Sequence, residues 1–309
     1  LSEHDFGQVA LALSLLALIS ALRNLGLHYA LLHQHDRVDE LAPTHFSLNT
    51  GLGLLGAAAA VTIAWFYTDL AAAMENLSPL VTPEALTDAS QKPMVPTALF
   101  VLAVFDFFRT TAFTSETQLR RDLEFGWLAA SHATATIVAA CVAVAIAYAG
   151  GEIWALIFGY SIGSVTYVII YCSLLWRRRF PPLSRLCDFD PAGARSLMAY
   201  GLWFWMVGLS HTFLINYDRI TCAALLGTGI LGFYAQAHIF ALIPTGAITH
   251  TIANITGAVY ARYQHDRLKL SGAYRRTLRF VLRSAVPLSL LLVIEAPRLT
   301  RVLLGDEWM

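Results

Sequence analysis

Charge is scarce in this chain. Only 14% of its 309 residues are Asp, Glu, Lys or Arg, against 57% hydrophobic, and the mean hydropathy is +0.57. That balance leaves too little polar surface to cover a soluble domain of this size, so lipid must be the solvent for much of the chain. Cysteine is scarce too. Cys141, Cys172, Cys187 and Cys222 stand far apart with no CxxC pair, which argues against both a disulfide framework and a zinc site. Neither sign of charge dominates, with 21 basic and 21 acidic residues, so the electrostatic footprint of a nucleic-acid binder is missing. There is no Walker A motif, no nucleotide-binding glycine loop and no HExxH, which removes ATP hydrolysis and the common metallohydrolases. Low-complexity tracts and short repeats are absent as well. The first apolar stretch has no positive n-region and no small-residue cleavage site, so it is retained rather than cleaved as a signal peptide. The chain opens on Leu1 and stops at Met309 just past a Gly-Asp-Glu-Trp turn, and it reads as an internal fragment.

What is present is a series of long apolar runs. Crossing roughly 30 Å of hydrocarbon takes about 20 mostly apolar residues. Eight stretches meet that measure: 6–29, 47–66, 95–113, 125–149, 153–176, 197–220, 230–259 and 278–294. Gly150-Gly151 and Gly227-Thr-Gly229 punctuate runs too long to be single helices, and Pro244 is expected to kink the seventh span without ending it. The fold class is therefore all-α, a polytopic transmembrane bundle. Lys and Arg favour cytoplasmic loops. About fifteen of the 21 basic residues fall in one set of alternate loops, and only Lys92, Arg219, Arg298 and Arg301 fall in the other. The segment before Phe6 is thus expected outside. The outer stretch Thr68 to Val95 carries four acidic residues and several prolines and is expected to be solvated. The stretch 177–196, with Pro181-Pro182 and five arginines, is expected to be a cytoplasmic linker between a first lobe, 1–176, and a second, 197–309.

Several runs carry a family resemblance. The opening LSEHDFG, QLRRDLEF from Gln118, GGEIWALIFG from Gly150, INYDRI followed by LGTGILGFYAQA, and the closing APRLTRVLLGDEW resemble, in order and spacing, the polysaccharide flippases of the multidrug/oligosaccharidyl-lipid/polysaccharide exporter superfamily. The resemblance covers nearly the whole chain. It implies twelve to fourteen helices in two pseudo-symmetric six-helix lobes around a central cavity, of which helices two to nine are present here. It also implies residence in a bacterial inner membrane and a substrate of oligosaccharide on a polyprenyl pyrophosphate carrier, moved by alternating access. The Thr68 to Val95 stretch is longer than usual for that family, and Arg23-Asn24 stands where an acidic residue is common.

A pyrophosphate head crossing hydrocarbon calls for a cationic, water-lined cavity, and a basic residue at membrane depth costs about 2.5 to 3.5 kcal/mol to place. Candidate residues follow from that. Arg23, beside Asn24, either snorkels to the inner headgroups or contacts pyrophosphate. Asp106 lies three residues before Arg109, so the two either neutralise each other along one helix face or couple transport to H+ or Na+. Asn216, Asp218 and Arg219 of INYDRI sit at the outer end of the sixth span, or inside it if the helix continues to Leu226, and suit interlobe packing, a gate or substrate contact. His132, His211, His238 and His250 lie in apolar spans, with His250 and Asn254 an i, i+4 pair that presents two polar groups on one face. Trp203, Trp205, Tyr217 and Tyr234 suit sugar stacking or interfacial anchoring. No metal site or cofactor is expected.

Three functions are open at this point. A flippase needs an arginine-rich cavity, whereas a cation-coupled multidrug antiporter of the same superfamily needs an acidic one. A membrane enzyme of envelope glycan synthesis would need three polar side chains converging in a pocket, and the outer carboxylates Glu75, Glu84 and Asp88 have no basic or metal-binding companion.

Overall fold

The computed structural model describes residues 2–33, 38–67, 94–121, 124–177, 189–262 and 266–305, with some helical residues described by backbone alone. Among the described residues the chain is helical throughout and contains no strand. In order the helices are α1 (Glu3–Arg23), α2 (Leu27–His33), α3 (Val38–Trp65), α4 (Val95–Thr111), α5 (Phe113–Arg121), α6 (Phe125–Tyr148), α7 (Glu152–Arg177), α8 (Pro191–Arg262) and α9 (Arg267–Leu303). Six are long and apolar enough to cross a membrane, or seven when α4 and α5, bent by 42° at Ala112, count as one span. The acidic stretch after Thr68 and most of the arginine-rich stretch after Arg177 lie outside the described residues.

Local chemistry sets the helix ends. Ser2 caps α1 with a reciprocal box, its Oγ accepting from the Asp5 amide at 3.3 Å while Asp5 accepts from the Ser2 amide at 2.9 Å. The first span is shorter than the apolar run that encodes it. It stops at Arg23 because Leu25 and Gly26 adopt positive φ, 44° and 63°, and turn the chain into the separate helix α2. The sixth and seventh apolar stretches follow one another in α8, which is two helices joined across a kink at Gly227; the first runs on past Leu226 and the second passes Pro244 without ending. Its non-helical residue is Gly227, at φ 84° and ψ 171°, a conformation open essentially to glycine alone. The three-residue loop expected at 227–229 is thus a one-residue break.

The chain groups into two compact units, Leu1–Gly232 and Phe233–Met309. In the first, α6 and α7 form a hairpin, α3 packs on α4, and α4 lies between α1 and α7. Lipid tails are as apolar as leucine, so small residues that admit close approach carry such contacts. Gly159 and Gly163 of α7 face Ala143 and Ala139 of α6, where an added Cβ would sit 2.8 and 2.9 Å from the alanine methyls. The apolar core runs through Leu16, Leu99, Leu102, Ile157 and Leu231. Trp65 and Tyr148, 80% and 90% exposed, end α3 and α6 on the side expected to be outer, as interfacial aromatics do. In the second unit, Asp266 caps α9 by accepting from the Lys269 amide at 3.1 Å, and that bond with the neighbouring ammonium at 3.0 Å holds its carboxyl below the usual value. No described side chain of α9 is buried.

Candidate functional site

The first unit holds a partly open cavity of about 330 Å3 lined by α1, α3, α4, the start of α5, α7 and the early part of α8. Its polar wall starts from the last turn of α1. There the Arg23 stem crosses α3 at Gly53 and Gly56, where a Cβ on Gly56 would meet Arg23 Cδ at 2.4 Å, so side-chain-free α3 gives it a channel. The guanidinium then reaches α4. It pairs with Asp106 and donates to Thr110 Oγ1 at 2.5 Å. Ser20, one turn back on α1, donates to the same Asp106 oxygen at 3.0 Å. The paired side chains are 10% and 15% exposed. A charge pair this enclosed holds together two helices 83 residues apart in sequence, and either partner alone would be a costly buried ion.

Asp106 therefore pairs across the bundle rather than along its own helix. Arg109 instead lies 5.6 Å over the Tyr167 ring and donates to the Tyr160 hydroxyl at 3.5 Å, both from α7. The cavity wall carries two arginines and one aspartate, and Arg109 meets only aromatic and phenolic groups in these contacts. Thr212 of α8 completes the wall, and Asn24 and Asn49 border it. The α8 wall is fixed to α1 at both ends. Trp205 Nε1 donates to the carbonyls of Ala21 and Leu22 at 2.9 and 3.1 Å. Nearby, Gly201 meets Gly26 so closely that a Cβ on Gly201 would lie 2.4 Å from the Leu25 carbonyl oxygen. At the other end Gly7 abuts Thr228 and Gly232, with a hypothetical Gly7 Cβ 1.7 Å from the Thr228 carbonyl oxygen.

A second cavity of about 200 Å3 shares Asn24, Asn49 and Phe113 with the first. It is built on His45 of α3 and Glu116 of α5. The Glu116 carboxylate receives Arg120 at 2.6 and 3.0 Å and the Tyr167 hydroxyl at 2.5 Å. His45, 1% exposed, bonds Thr114 through Nδ1 at 2.9 Å, while its Nε2 has no partner among the described residues.

Of the residues singled out from sequence, Arg23, Asn24, Asp106 and Arg109 converge on one cavity. The INYDRI residues do not line it. Asn216 is buried and donates to the Thr212 carbonyl at 2.8 Å, the Asp218 carboxylate accepts from the Arg219 amide at 2.9 Å, and both charged residues lie inside α8. The side chains of His250 and Asn254 lie outside those described. Sequence reasoning missed Ser20, Asn49, Thr110, Tyr160 and Thr212, and the whole His45–Glu116 cluster. A signal for the missed residues exists: His45 and Asn49, and Tyr160, Ser164, Tyr167 and Tyr171, recur at helical spacing as polar stripes on otherwise apolar spans.

A curated relative, the lipopolysaccharide biosynthesis protein WzxC of Escherichia coli (strain K12), is 21% identical over 311 residues, covering all of this chain and 58% of that protein. The chain thus spans a little over half the length of that relative. No solved structure matches it. The family model described as polysaccharide biosynthesis protein matches residues 1–309 from end to end, and on that match this multi-pass, all-helical membrane chain belongs to the polysaccharide biosynthesis protein family.

Proposed function

We propose that the chain forms the first lobe and part of the second of a transporter that flips polyprenyl-pyrophosphate-linked oligosaccharide across the bacterial inner membrane by alternating access. The observation that carries the reading is the cationic cavity. Two arginines and one aspartate line a partly open space between helices, and Arg109 stands beside aromatic rings, outside the Arg23–Asp106 pair. A pyrophosphate brings negative charge and acceptor oxygens, which arginine matches with paired donors. The relative's name refers to lipopolysaccharide biosynthesis, in keeping with a lipid-linked glycan. An antiporter for organic cations needs the opposite cavity charge. Polar side chains do converge as an enzyme would require, but the Ser20 hydroxyl donates to an Asp106 carboxylate already engaged by Arg23.

Asp106 is also the group through which H+ or Na+ would couple, since neutralising it frees Arg23 for substrate. The distribution of basic loops sets the N-terminus of α1 outside and the Arg23 end toward the cytoplasm. The test is translocation of a fluorescent polyprenyl-pyrophosphate oligosaccharide in proteoliposomes, wild type beside Arg23→Ala and Arg109→Ala. Translocation by the wild type, with loss in at least one variant that inserts normally, is expected. Unchanged transport in both variants sinks the cationic-cavity reading.

A further inference from the structure

The second cavity differs from the first in charge and in kind. Its ionised pair, Glu116 and Arg120, sums to zero, and the pair is held rigid by Tyr167. Around it stand the amides of Asn24 and Asn49, the imidazole of His45 and the ring of Tyr29. Amide, imidazole, carboxylate and guanidinium together offer donors and acceptors in similar number, the set that matches hydroxyls, each of which both gives and receives. A bare anion or cation gains little there. His45, which lines this cavity, adds a specific clue: its Nε2 is buried and without a partner among the described residues, a state that costs free energy and that a small movement of the ring toward a hydroxyl would relieve. Tyr29, 48% exposed, has ring contacts with His28 at 3.9 Å and Phe204 at 5.0 Å and gives the cavity an aromatic border against which the C–H groups of a sugar ring can lie.

We infer that this cavity is a sugar subsite, holding one neutral glycosyl ring of the substrate while the adjoining cationic cavity holds the pyrophosphate. The inference rests on the flippase reading and deepens it. The shared wall of Asn24, Asn49 and Phe113 places the two spaces side by side, as a glycosyl pyrophosphate requires. The volume, about 200 Å3, suits a single ring rather than a chain, so selectivity acts on one sugar of the repeat unit and later sugars lie outside this subsite.

Two soluble probes separate the halves of the site. Binding of neutral methyl glycosides (gluco, galacto and manno) and of inorganic pyrophosphate is measured by saturation-transfer NMR on the purified chain. The variants are Tyr29→Ala, Arg120→Gln and Arg109→Gln, each checked by thermal melting. Tyr29 and Arg120 are both exposed enough to be changed without emptying the core. At least one glycoside is expected to bind with millimolar affinity, weakened tenfold or more by Tyr29→Ala and by Arg120→Gln, with pyrophosphate affinity unmoved by Tyr29→Ala. Arg109→Gln is expected to weaken pyrophosphate tenfold or more. Glycoside binding that is absent beside intact pyrophosphate binding, or that survives both variants, overturns the sugar subsite and leaves the cationic cavity standing. Failure of both probes overturns both readings.

Discussion

Replacing Gly201 by alanine drives a wedge into one end of the α1–α8 contact. The new Cβ would lie 2.4 Å from the Leu25 carbonyl oxygen and 3.2 Å from the Gly26 carbonyl carbon, whereas ordinary contact begins near 3.4 Å. Both obstacles are backbone, so no side chain can rotate away and the helices must part by about 1 Å. Inserting a methyl into a closed contact costs typically 1 to 3 kcal/mol. If that cost falls on the conformer in which Gly201 and Gly26 touch, the balance with an open conformer moves by roughly 5- to 150-fold. Gly7→Ala applies the same force at the opposite end of α1, against Thr228. The two contacts are separated by about 25 Å along a helix of this length, close to the thickness of hydrocarbon. One substitution should therefore open the cavity to the cytoplasm and the other to the outside. The assay is labelling of Thr212→Cys, which faces the cavity, by a membrane-impermeant maleimide in a background without the four native cysteines. Gly201→Ala should raise labelling from the cytoplasmic side and Gly7→Ala from the outer side. Equal labelling of both variants and parent from each side, in protein that inserts normally, refutes the idea that these glycines are opposed latches.

Three further outcomes follow from the same geometry. Asp106→Asn strands Arg23 among Thr110 and Ser20 and should cost about 3 kcal/mol of stability, whereas Arg23→Gln with Asp106→Asn should recover most of it while abolishing pyrophosphate binding; thermal melting and a binding titration measure the two halves. Gly227→Ala forces a side chain into φ 84° and ψ 171° and should cost roughly 1 to 3 kcal/mol, seen as a lower Tm that Gly229→Ala, with open space around its Cα and no positive φ, does not share. Tyr167→Phe removes the hydroxyl that reaches Glu116 at 2.5 Å but keeps the ring under Arg109, so it should loosen the neutral cavity and leave pyrophosphate affinity unchanged; matched titrations of both probes check it.

The bundle was legible in the sequence because spanning a bilayer needs length and apolarity, which one chain states openly. Its edges were less so. The run 6–29 reads as one span, yet the turn at Leu25-Gly26 ends the helix at Arg23, and nothing in that apolar window distinguishes a helix interior from a glycine fitted against Gly201. Likewise Gly227 and Gly229 look equally fit to make a loop. The one with positive φ interrupts α8, while the other remains helical. Packing makes that choice.

Charge at membrane depth marked Arg23 and Asp106 from the sequence alone, because the cost of placing them there is large whatever the fold, and Arg109 was marked as the neighbour of Asp106 three residues on. It did not say who pairs with whom. Spacing favours Asp106 with Arg109, three residues on, but a pair on one helix face gains only a few tenths of a kcal/mol. The alternative draws on geometry that spacing cannot encode: α3 offers Gly53 and Gly56 as a channel for the Arg23 stem, and α7 offers Tyr160 and Tyr167 to Arg109. Once Arg109 has aromatic partners, Asp106 is released to the arginine of another helix, and the bundle gains a link between α1 and α4. The neutral cavity stayed hidden for a related reason. Its Glu116 and Arg120 look like a solvated i, i+4 pair on a short polar helix, and only the 42° bend after α4 turns that pair toward His45 and Asn49. Isolated charges inside apolar spans thus announce themselves, whereas a site assembled from ordinary polar residues becomes visible only when a bend brings their helices together.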